Sequence, residues 1–546
     1  MKNRLFVVAS KQWVGVKLPV LESLAAMFVG ILPAAAQSPP AVEGGSTGKL
    51  SIVPRVSVSE TLTNNVFLSG SGRKSELITQ ISPGIRIVSR GGRISGSLDY
   101  SLDELLYANG SSGTRSLNAL NATGTMEVID KSGYVDFSGV VSQQVISAFG
   151  APTSGLTALN GNSAETSVFR ISPHMRGRIS GFADYEARYS LSSSRSAATF
   201  MSDVDSQDMS VKLNSTGSRV GSGWTFGFNR QSFDYTLGRS TQAQQVSGQL
   251  NYPFNEQFGA YVKGSHESNN YVVTTAQQGN STALGINWTP NEDVRVSVDK
   301  GSDGSYGVVA SWNPSKRTNV AVTRERRLYG ETHSIALSYR TPNTAWAFSD
   351  VKTAVTNSGQ SSAASAPSLY DVLYSQFIAT EHDPVKREQY DASLQANGIK
   401  PNATAVSGFL ASSVSLRRQQ QLSFAVFGAR STASFAATRS SNSRLDSLAT
   451  GVDDFSNSPV VTQNGLSANF SYRLTPRALL SIIAARQVST GSLGQAGTSL
   501  RSVNVNLSTN LTKETSASVG ARKVVFDSTT APYTETAVIG SLNVQF

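Results

Sequence analysis

The stretch AVIGSLNVQF, residues 537–546, ends the sequence in strict alternation. Alternate residues of an extended strand share a face, so one face would carry Val538, Gly540, Leu542, Val544 and Phe546. The last residues of a soluble domain usually fray, because their backbone has few partners. An amphipathic strand that runs to a terminal aromatic residue predicts instead a strand that closes a sheet, with those five residues as its assembly signal.

The composition fits one large sheet that spans a membrane. Charged residues make up 15% of the chain and hydrophobic residues 39%, whereas soluble proteins carry about 25% charged residues. Ser, Thr, Asn, Gln and Gly take the place of the missing charge, as expected where apolar residues face lipid and uncharged polar residues face a lumen. The regular Val, Ile, Leu and Tyr disfavour a disordered chain. There is no Cys.

The first 36 residues resemble a secretory signal peptide. Four Lys or Arg residues precede an apolar run from Ser23 to Leu32, and the Ala-rich segment that ends at Ala36 offers a cleavage site. An uncleaved anchor helix is the weaker alternative, because the apolar run is too short to span a membrane. We therefore expect a signal peptide at residues 1–36, a short periplasmic segment at 37–49 and a transmembrane barrel at 50–546.

Alternating runs continue along the chain. Residues 77–87 place Leu, Ile and Pro on one face, a turn follows at Arg90–Gly92, and residues 94–102 repeat the pattern. Short turns such as residues 253–256 and 290–293 take turns with longer Ser-, Gly- and Asn-rich loops such as residues 148–166, as in outer-membrane barrels. Counting the runs predicts about 24 antiparallel strands, with 22 to 26 as the range. An even number leaves both termini in the periplasm.

The aromatic residues favour interfacial girdles. They tend to fall near the predicted strand ends, where such girdles lie in membrane barrels. The residues concerned are Tyr100, Trp224, Tyr252, Trp288, Trp312, Trp346 and Tyr472.

Charged residues on the polar faces are the candidates for the lumen wall. Arg86, Arg93 and Asp99 fall on polar faces early in the chain. A single predicted strand over residues 178–191 would turn Tyr185 toward lipid and direct five residues inward: Arg178, Phe182, Asp184, Glu186 and Arg188. Phe182 has two interpretations, packing against neighbouring lumen side chains or a stacking platform for a sugar ring.

One segment breaks the alternation. Between Asp350 and Ser407 the spacing of Leu369, Val372, Leu373 and Phe377 fits one face of a helix. Asp383-Pro384 would start a second helix that Asn397-Gly398 ends. We expect a helical hairpin inserted at residues 351–406 on the outer side. It would be either a surface excursion or a lid over the lumen.

Signals for other functions are weak. The four His residues lie far apart, with no hydrolase, nucleotide-binding or metal motif, although a barrel could bring His174 and His266 together with Ser residues. Basic residues are scattered rather than clustered, which disfavours nucleic acid. The sequence thus predicts a non-enzyme without cofactor or metal. A soluble sandwich, propeller or solenoid lacks support, because no fixed repeat is present.

Residues 52–87, IVPRVSVSETLTNNVFLSGSGRKSELITQISPGIRI, followed by GSLDYSLDELLYANG at 96–110, resemble the PEP-CTERM system-associated outer-membrane β-barrel family of exopolysaccharide gene clusters. The resemblance extends from about Ile52 to Phe546, is strongest before Gln144 and implies a role in exopolysaccharide production or export. It supplies no catalytic residues.

Together the sequence predicts an all-β outer-membrane barrel that gives exopolysaccharide a passive passage or docking surface. Its expected partners are outer-membrane lipid and the barrel assembly machinery, with exopolysaccharide and export-system proteins as further candidates. A structural anchor with a closed lumen is the alternative. A siderophore-type transporter would need an N-terminal plug domain, and residues 37–49 leave no room for one.

Overall fold

The computed structural model describes residues 50–89, 91–152, 155–216, 223–272, 277–355, 409–446, 452–512 and 514–546. They form one antiparallel sheet of 24 strands, the number expected from the sequence. A single short helix, α1, accompanies them at Asp454–Asn457. None of the described helices is long and apolar enough to cross a membrane. In chain order the strands are β1 Leu50–Thr63, β2 Glu76–Ser89, β3 Ile94–Tyr107, β4 Arg115–Ile129, β5 Gly133–Val145, β6 Ser163–Ile179, β7 Ala183–Ser196, β8 Val204–Ser215, β9 Gly223–Tyr235, β10 Thr241–Pro253, β11 Phe258–Asn269, β12 Gln277–Asn291, β13 Val294–Gly301, β14 Tyr306–Ser315, β15 Thr318–Arg327, β16 Gly330–Arg340, β17 Thr344–Val355, β18 Ser415–Phe427, β19 Ser431–Arg444, β20 Val460–Arg473, β21 Ala478–Gly491, β22 Thr498–Asn510, β23 Thr515–Asp527 and β24 Tyr533–Gln545.

The sheet closes between its first and last strands. β1 pairs antiparallel with β24 from Arg55 opposite Gln545 to Thr63 opposite Ala537. The chain remains paired to its last residue, since the Phe546 amide donates to the Pro54 carbonyl at 2.9 Å. Closure leaves no unpaired edge, which is the condition for a sheet to lie in lipid. The terminal strand therefore closes the sheet, as its alternation predicts.

The two faces of the wall differ in chemistry. On β24 one face carries Val538, Gly540, Leu542 and Val544, while the other carries Ser541 and Asn543. The large side chains of the first face are exposed, with Val538 at 50% and Leu542 at 43%. The register continues this apolar face through β1, where Leu50, Ile52, Val58 and Leu62 are exposed. An apolar outer surface on a closed ring makes this an outer-membrane barrel.

The two ends of the barrel differ in the length of their connections. Most odd-numbered strands run into the longer connections, such as residues 146–162 between β5 and β6, at what we call the loop end. Even-numbered strands run into short turns, such as residues 130–132, at the turn end, where both barrel termini also lie. Outer-membrane barrels place such loops outside the cell and such turns in the periplasm.

Most of the predicted aromatic girdle lies at the turn end. Six of the seven residues lie close to the turn-end terminus of the strand that carries them: Trp224, Tyr252, Trp288, Trp312, Trp346 and Tyr472. Rings pair across strands, for example Phe258 on Trp288 with centroids 6.5 Å apart. Tyr100 is the exception, because it lies in the middle of β3 and its hydroxyl donates to Asn118 at 3.0 Å.

Two predicted boundaries were wrong. Residues 178–191 are not one strand, because β6 ends at Ile179, Ser180–Phe182 form a turn, and β7 begins at Ala183. Gly181 adopts a φ of +71°, which favours glycine at this turn. β17 also continues to Val355, so residues 351–355 of the expected helical insertion are strand. The rest of that insertion, the signal peptide and the segment 37–49 lie outside the described residues.

Candidate functional site

The inner wall of the barrel carries paired charges. Arg55 of β1 holds Asp99 of β3 through both carboxylate oxygens, at 2.9 and 2.5 Å. Arg188 of β7 donates to Asp136 of β5 at 2.5 Å, and His174 lies 3.3 Å from the same carboxylate. Because charges on the lipid side are costly, we assign this face to the lumen.

Six of the eight predicted lumen residues lie on this polar face. The strand register groups Arg86 with Asp99, and it groups Arg178 with Asp184, Glu186 and Arg188. Arg178 Nε lies 2.7 Å from Asp184 Oδ1. The register places these six residues on one face, and their role in lining a lumen remains a prediction.

The other two residues, Arg93 and Phe182, lie in turns at the turn end and not on the wall. The prediction for Phe182 failed because the pairing of β6 with β7 keeps even-numbered residues on the polar face of both strands, so the alternation appears to continue through the turn. Phe182 is 55% exposed and packs on Trp224 with ring centroids 5.1 Å apart. It therefore belongs with the aromatic girdle rather than with a sugar-stacking platform.

Apolar side chains pack inside the ring at the loop end. The connection between β5 and β6, described for residues 146–152 and 155–162, is called the mouth loop. Its Leu156 and Leu159 pack on polar-face positions of β2 to β4 that hold buried apolar residues, namely Ile78, Leu105, Tyr107 and Leu117. Its Ala151 and Ala158 pack on Val524, Phe526 and Tyr533 of β23 and β24. These contacts place the mouth loop inside the ring.

Polar contacts fix the mouth loop at several points. The hydroxyl of Tyr533 donates to the Pro152 carbonyl at 2.6 Å, and the Leu159 amide donates to the Val66 carbonyl at 2.8 Å. Below them Arg522 and Glu535 form a buried ion pair at 2.8 Å, and Thr63 donates to the same carboxylate oxygen. The mouth loop is thus held by groups from both sides of the closing seam.

A second set of contacts joins opposite parts of the ring. Ser147 Oγ and the Ala148 amide donate to the two carboxylate oxygens of Asp454 in α1, at 2.6 and 2.7 Å. The neighbouring carboxylate of Asp453 accepts the Ser412 amide at 2.8 Å. Rings of Phe409 and Phe455 pack beside Ala148, with centroids 5.6 Å apart. We call this group the latch.

The latch joins connections from distant parts of the ring. β5 and β20 are nine places apart around the ring of 24 strands. A circular ring of this size would be about 45–50 Å across, given a strand spacing near 4.8 Å and a tilt near 40°. Ser147 and Asp454 both lie outside the strands, so their hydrogen bonds show that the connections between β5 and β6 and between β19 and β20 extend across this opening. These connections therefore narrow the opening at the loop end.

Burial affects the acidity of the latch. Desolvation raises the pKa of the Asp454 carboxyl above the ordinary value of 3.8, although hydrogen bonds from Ser147 and Ala148 lower it in part. Burial likewise raises the pKa of Asp453. A closed mouth that raises these pKa values binds protons more tightly than an open one. The closed mouth is therefore stabilised as the pH falls toward 3.8, because Asp453 and Asp454 take up protons more readily in the closed state. It is destabilised as the pH rises above their raised pKa values.

The latch gives a first prediction. Asp454→Ala should weaken closure by about 1–3 kcal/mol, because it leaves the Ser147 hydroxyl and the Ala148 amide without their buried acceptor. Hydrogen exchange of residues 146–152 in the purified protein should then accelerate. Asp454→Asn is the matched control, because it keeps one acceptor oxygen and should have a smaller effect. If hydrogen exchange of residues 146–152 in both variants equals that of the wild type, the latch does not hold the mouth closed.

The sequence interpretation missed the mouth. The available signal was the presence of apolar residues at polar-face positions near the loop end, among them Ile78, Leu105 and Val461. The two His residues considered for catalysis do not meet. His174 stacks on Tyr134 on the polar face, whereas His266 contacts Asn280 on the other face of the wall.

Comparisons with known proteins give only general likeness. No family model and no curated protein matches the sequence. Among solved structures, the FrpB iron transporter from Neisseria meningitidis (F5-1 variant) has 11% identity and a TM-score of 0.44, with 90% of this chain and 82% of that chain covered. The siderophore receptor PirA from Pseudomonas aeruginosa has 11% identity and a TM-score of 0.37, with 90% and 80% covered. The ferric-catecholate import receptor Fiu from E. coli K12 has 8% identity and a TM-score of 0.40, with 90% and 81% covered. At such identities and scores, the ligands of those receptors have no bearing on this chain.

Proposed function

We propose that this barrel is an outer-membrane passage for exopolysaccharide, with a mouth that is closed at rest. The observation that carries the proposal is a polar lumen face, with ion pairs among its charged residues, beneath a latched mouth. On β19 to β24 this face bears hydroxyl and amide groups: Ser434, Thr438, Ser467, Asn469, Ser502, Asn504, Asn506, Ser518, Ser541 and Asn543. Such groups exchange hydrogen bonds with sugar hydroxyls at little cost to movement.

The choice of exopolysaccharide as cargo rests on the sequence resemblance of residues 52–110. The lumen chemistry supports it, because paired wall charges favour neither ionic sign and because no single deep pocket is needed for a polymer that slides. Transport would be passive and driven from elsewhere, and the export-system proteins are candidate partners. The second candidate function is an anchoring protein with a permanently closed lumen, which the latch favours.

The test uses a barrel whose mouth has been opened by replacement of the mouth loop. Exopolysaccharide purified from the bacterium that carries this chain is added to single barrels in a planar bilayer, and interruptions of the current are timed. Passage predicts frequent, voltage-dependent interruptions. An uninterrupted current at saturating polymer would contradict passage. If the closed wild-type barrel binds the polymer as well as the opened barrel does, the anchor is favoured.

A matched pair of variants tests the wall. Asn504 and Asn506 face the lumen on β22, whereas Val503 and Val505 on the same strand face outward. Asn504→Ala with Asn506→Ala should shorten the interruptions about fivefold, since each lost hydrogen bond contributes about 0.5–1.5 kcal/mol. Val503→Ala with Val505→Ala should leave their duration unchanged. If the current interruptions last equally long in the two double variants, the lumen wall does not contact the polymer as proposed.

A further inference from the structure

The outer wall of β20 to β23 carries an unusual group of cations. Arg486 of β21, Arg501 of β22 and Lys523 of β23 are exposed. The register places all three on the apolar, outward face: Arg486 lies opposite Leu466, Arg501 opposite Val525, and Lys523 opposite Val503. We call these three residues the basic triad. It lies toward the loop end of the apolar band, where hydrocarbon gives way to headgroups.

In the protein alone, the basic triad brings like charges close together. Arg486 and Arg501 are directly opposite each other on neighbouring strands, and like charges in this position repel. Arg501 contacts Asp527 at 2.5 Å, near the end of β23. Within the part of the chain that the structure describes, Arg486 and Lys523 form no ion pair. An anion placed between the three side chains would relieve the repulsion.

A groove runs beside the triad. It has a volume of about 360 Å³ and is lined by Arg486, Arg501 and Lys523 together with apolar side chains, among them Phe435, Leu466 and Val503. Those three apolar residues are each more than 40% exposed. The groove therefore offers a cationic end toward the loop end and an apolar remainder within the hydrocarbon band.

We infer that the basic triad and its groove bind a membrane lipid whose headgroup carries phosphate, at the loop-end leaflet. Arg is well suited to phosphate because its guanidinium donates two parallel hydrogen bonds. Basic pockets on membrane proteins bind anionic headgroups by the same chemistry. Acyl chains would cover the exposed Phe435, Leu466 and Val503. Charge complementarity and the amphipathic lining together favour a lipid over a soluble anion.

The experiment measures lipid retention by the purified full-length barrel. Native mass spectrometry is carried out after incubation with a diphosphorylated lipid A or with the same glycolipid without phosphate. The test variant is the triple substitution Arg486→Gln, Arg501→Gln and Lys523→Gln. The control triple is Lys300→Gln, Arg324→Gln and Lys352→Gln, which removes the same charge from outward-facing positions on β13, β15 and β17.

The wild type and the control triple should retain the phosphorylated lipid. The test triple should retain it about 100-fold more weakly, because each cation near a membrane surface contributes about fivefold to binding of anionic lipid. Heat-modifiable migration on gels checks that all variants fold. Equal loss in both triples, or equal retention of the glycolipid without phosphate, would overturn the inference. Displacement of the lipid by millimolar inorganic phosphate would show a soluble-anion site instead.

Discussion

Cells that produce a barrel without the mouth loop should become permeable to large antibiotics. Replacing residues 147–161 by Gly-Ser-Gly-Ser removes the contacts of Leu156 and Leu159 with β2 to β4, and it removes the partners of Asp454. The polar lumen would then open to the outside. We expect the inhibitory concentration of vancomycin to fall on the order of tenfold or more, since solute flux follows the width of the open path.

The control for this experiment is another loop at the same end. The connection between β21 and β22 contains Leu493, which is 83% exposed. Replacing residues 493–497 by the same linker, which keeps the contact of Ser492 with Ser458, should leave antibiotic sensitivity unchanged. A general leak caused by poor assembly would appear in both strains. Unchanged sensitivity in the mouth-loop strain, with folded barrel in the membrane, would mean that the other mouth segments close the lumen without it.

Leu542→Arg should strongly impair the barrel. Leu542 lies near the centre of the apolar band of the closing strand, opposite Val58 on one side and Ala517 on the other. An Arg facing lipid near the bilayer midplane costs about 2–4 kcal/mol. We expect a corresponding loss in the free energy of unfolding in lipid vesicles and a reduced yield of folded protein.

Ser541→Arg is the matched control for this substitution. Ser541 is the next residue of the same strand and faces the other way, with its hydroxyl 2.7 Å from that of Ser518. The new Arg would enter the lumen, where other Arg residues already lie, so assembly should continue. The opposite ranking of the two variants would reverse the assignment of the lipid and lumen faces.

A related prediction from the sequence concerns Phe546. It continues the pairing of the last strand with β1, and its side chain is 73% exposed. Its role as an assembly signal, together with Val538, Gly540, Leu542 and Val544, remains a prediction.

The wall could be predicted from the sequence because lipid and lumen impose opposite chemistry on successive residues. That constraint acts on every strand, so the alternation from Leu50 to Gln545 gave the strand number and the closing pair. It does not mark where one strand ends, which is why residues 178–191 were interpreted as one strand. Turns such as Ser180–Phe182 depend on local φ angles and not on the contrast between lipid and the lumen.

The mouth could not be predicted in the same way. Its contacts join residues far apart in sequence, such as Ser147 with Asp454 and Tyr533 with Pro152. No periodic pattern relates such pairs. The apolar residues Val524 and Phe526 on an otherwise polar face indicate that something covers them, but their partner is defined only when the ring closes. Beyond the strand residues 351–355, the helical insertion predicted at 351–406 remains a prediction.

Single-channel recording in planar bilayers tests the central claim most directly, because it measures whether the polar lumen is closed at its mouth. Purified wild-type barrel and the mouth-loop replacement are compared at neutral pH. The account predicts a wild type that conducts only in brief, small events and a replacement that conducts steadily, at a level at least about tenfold higher. A wild-type barrel with the same large, steady conductance as the replacement would contradict it.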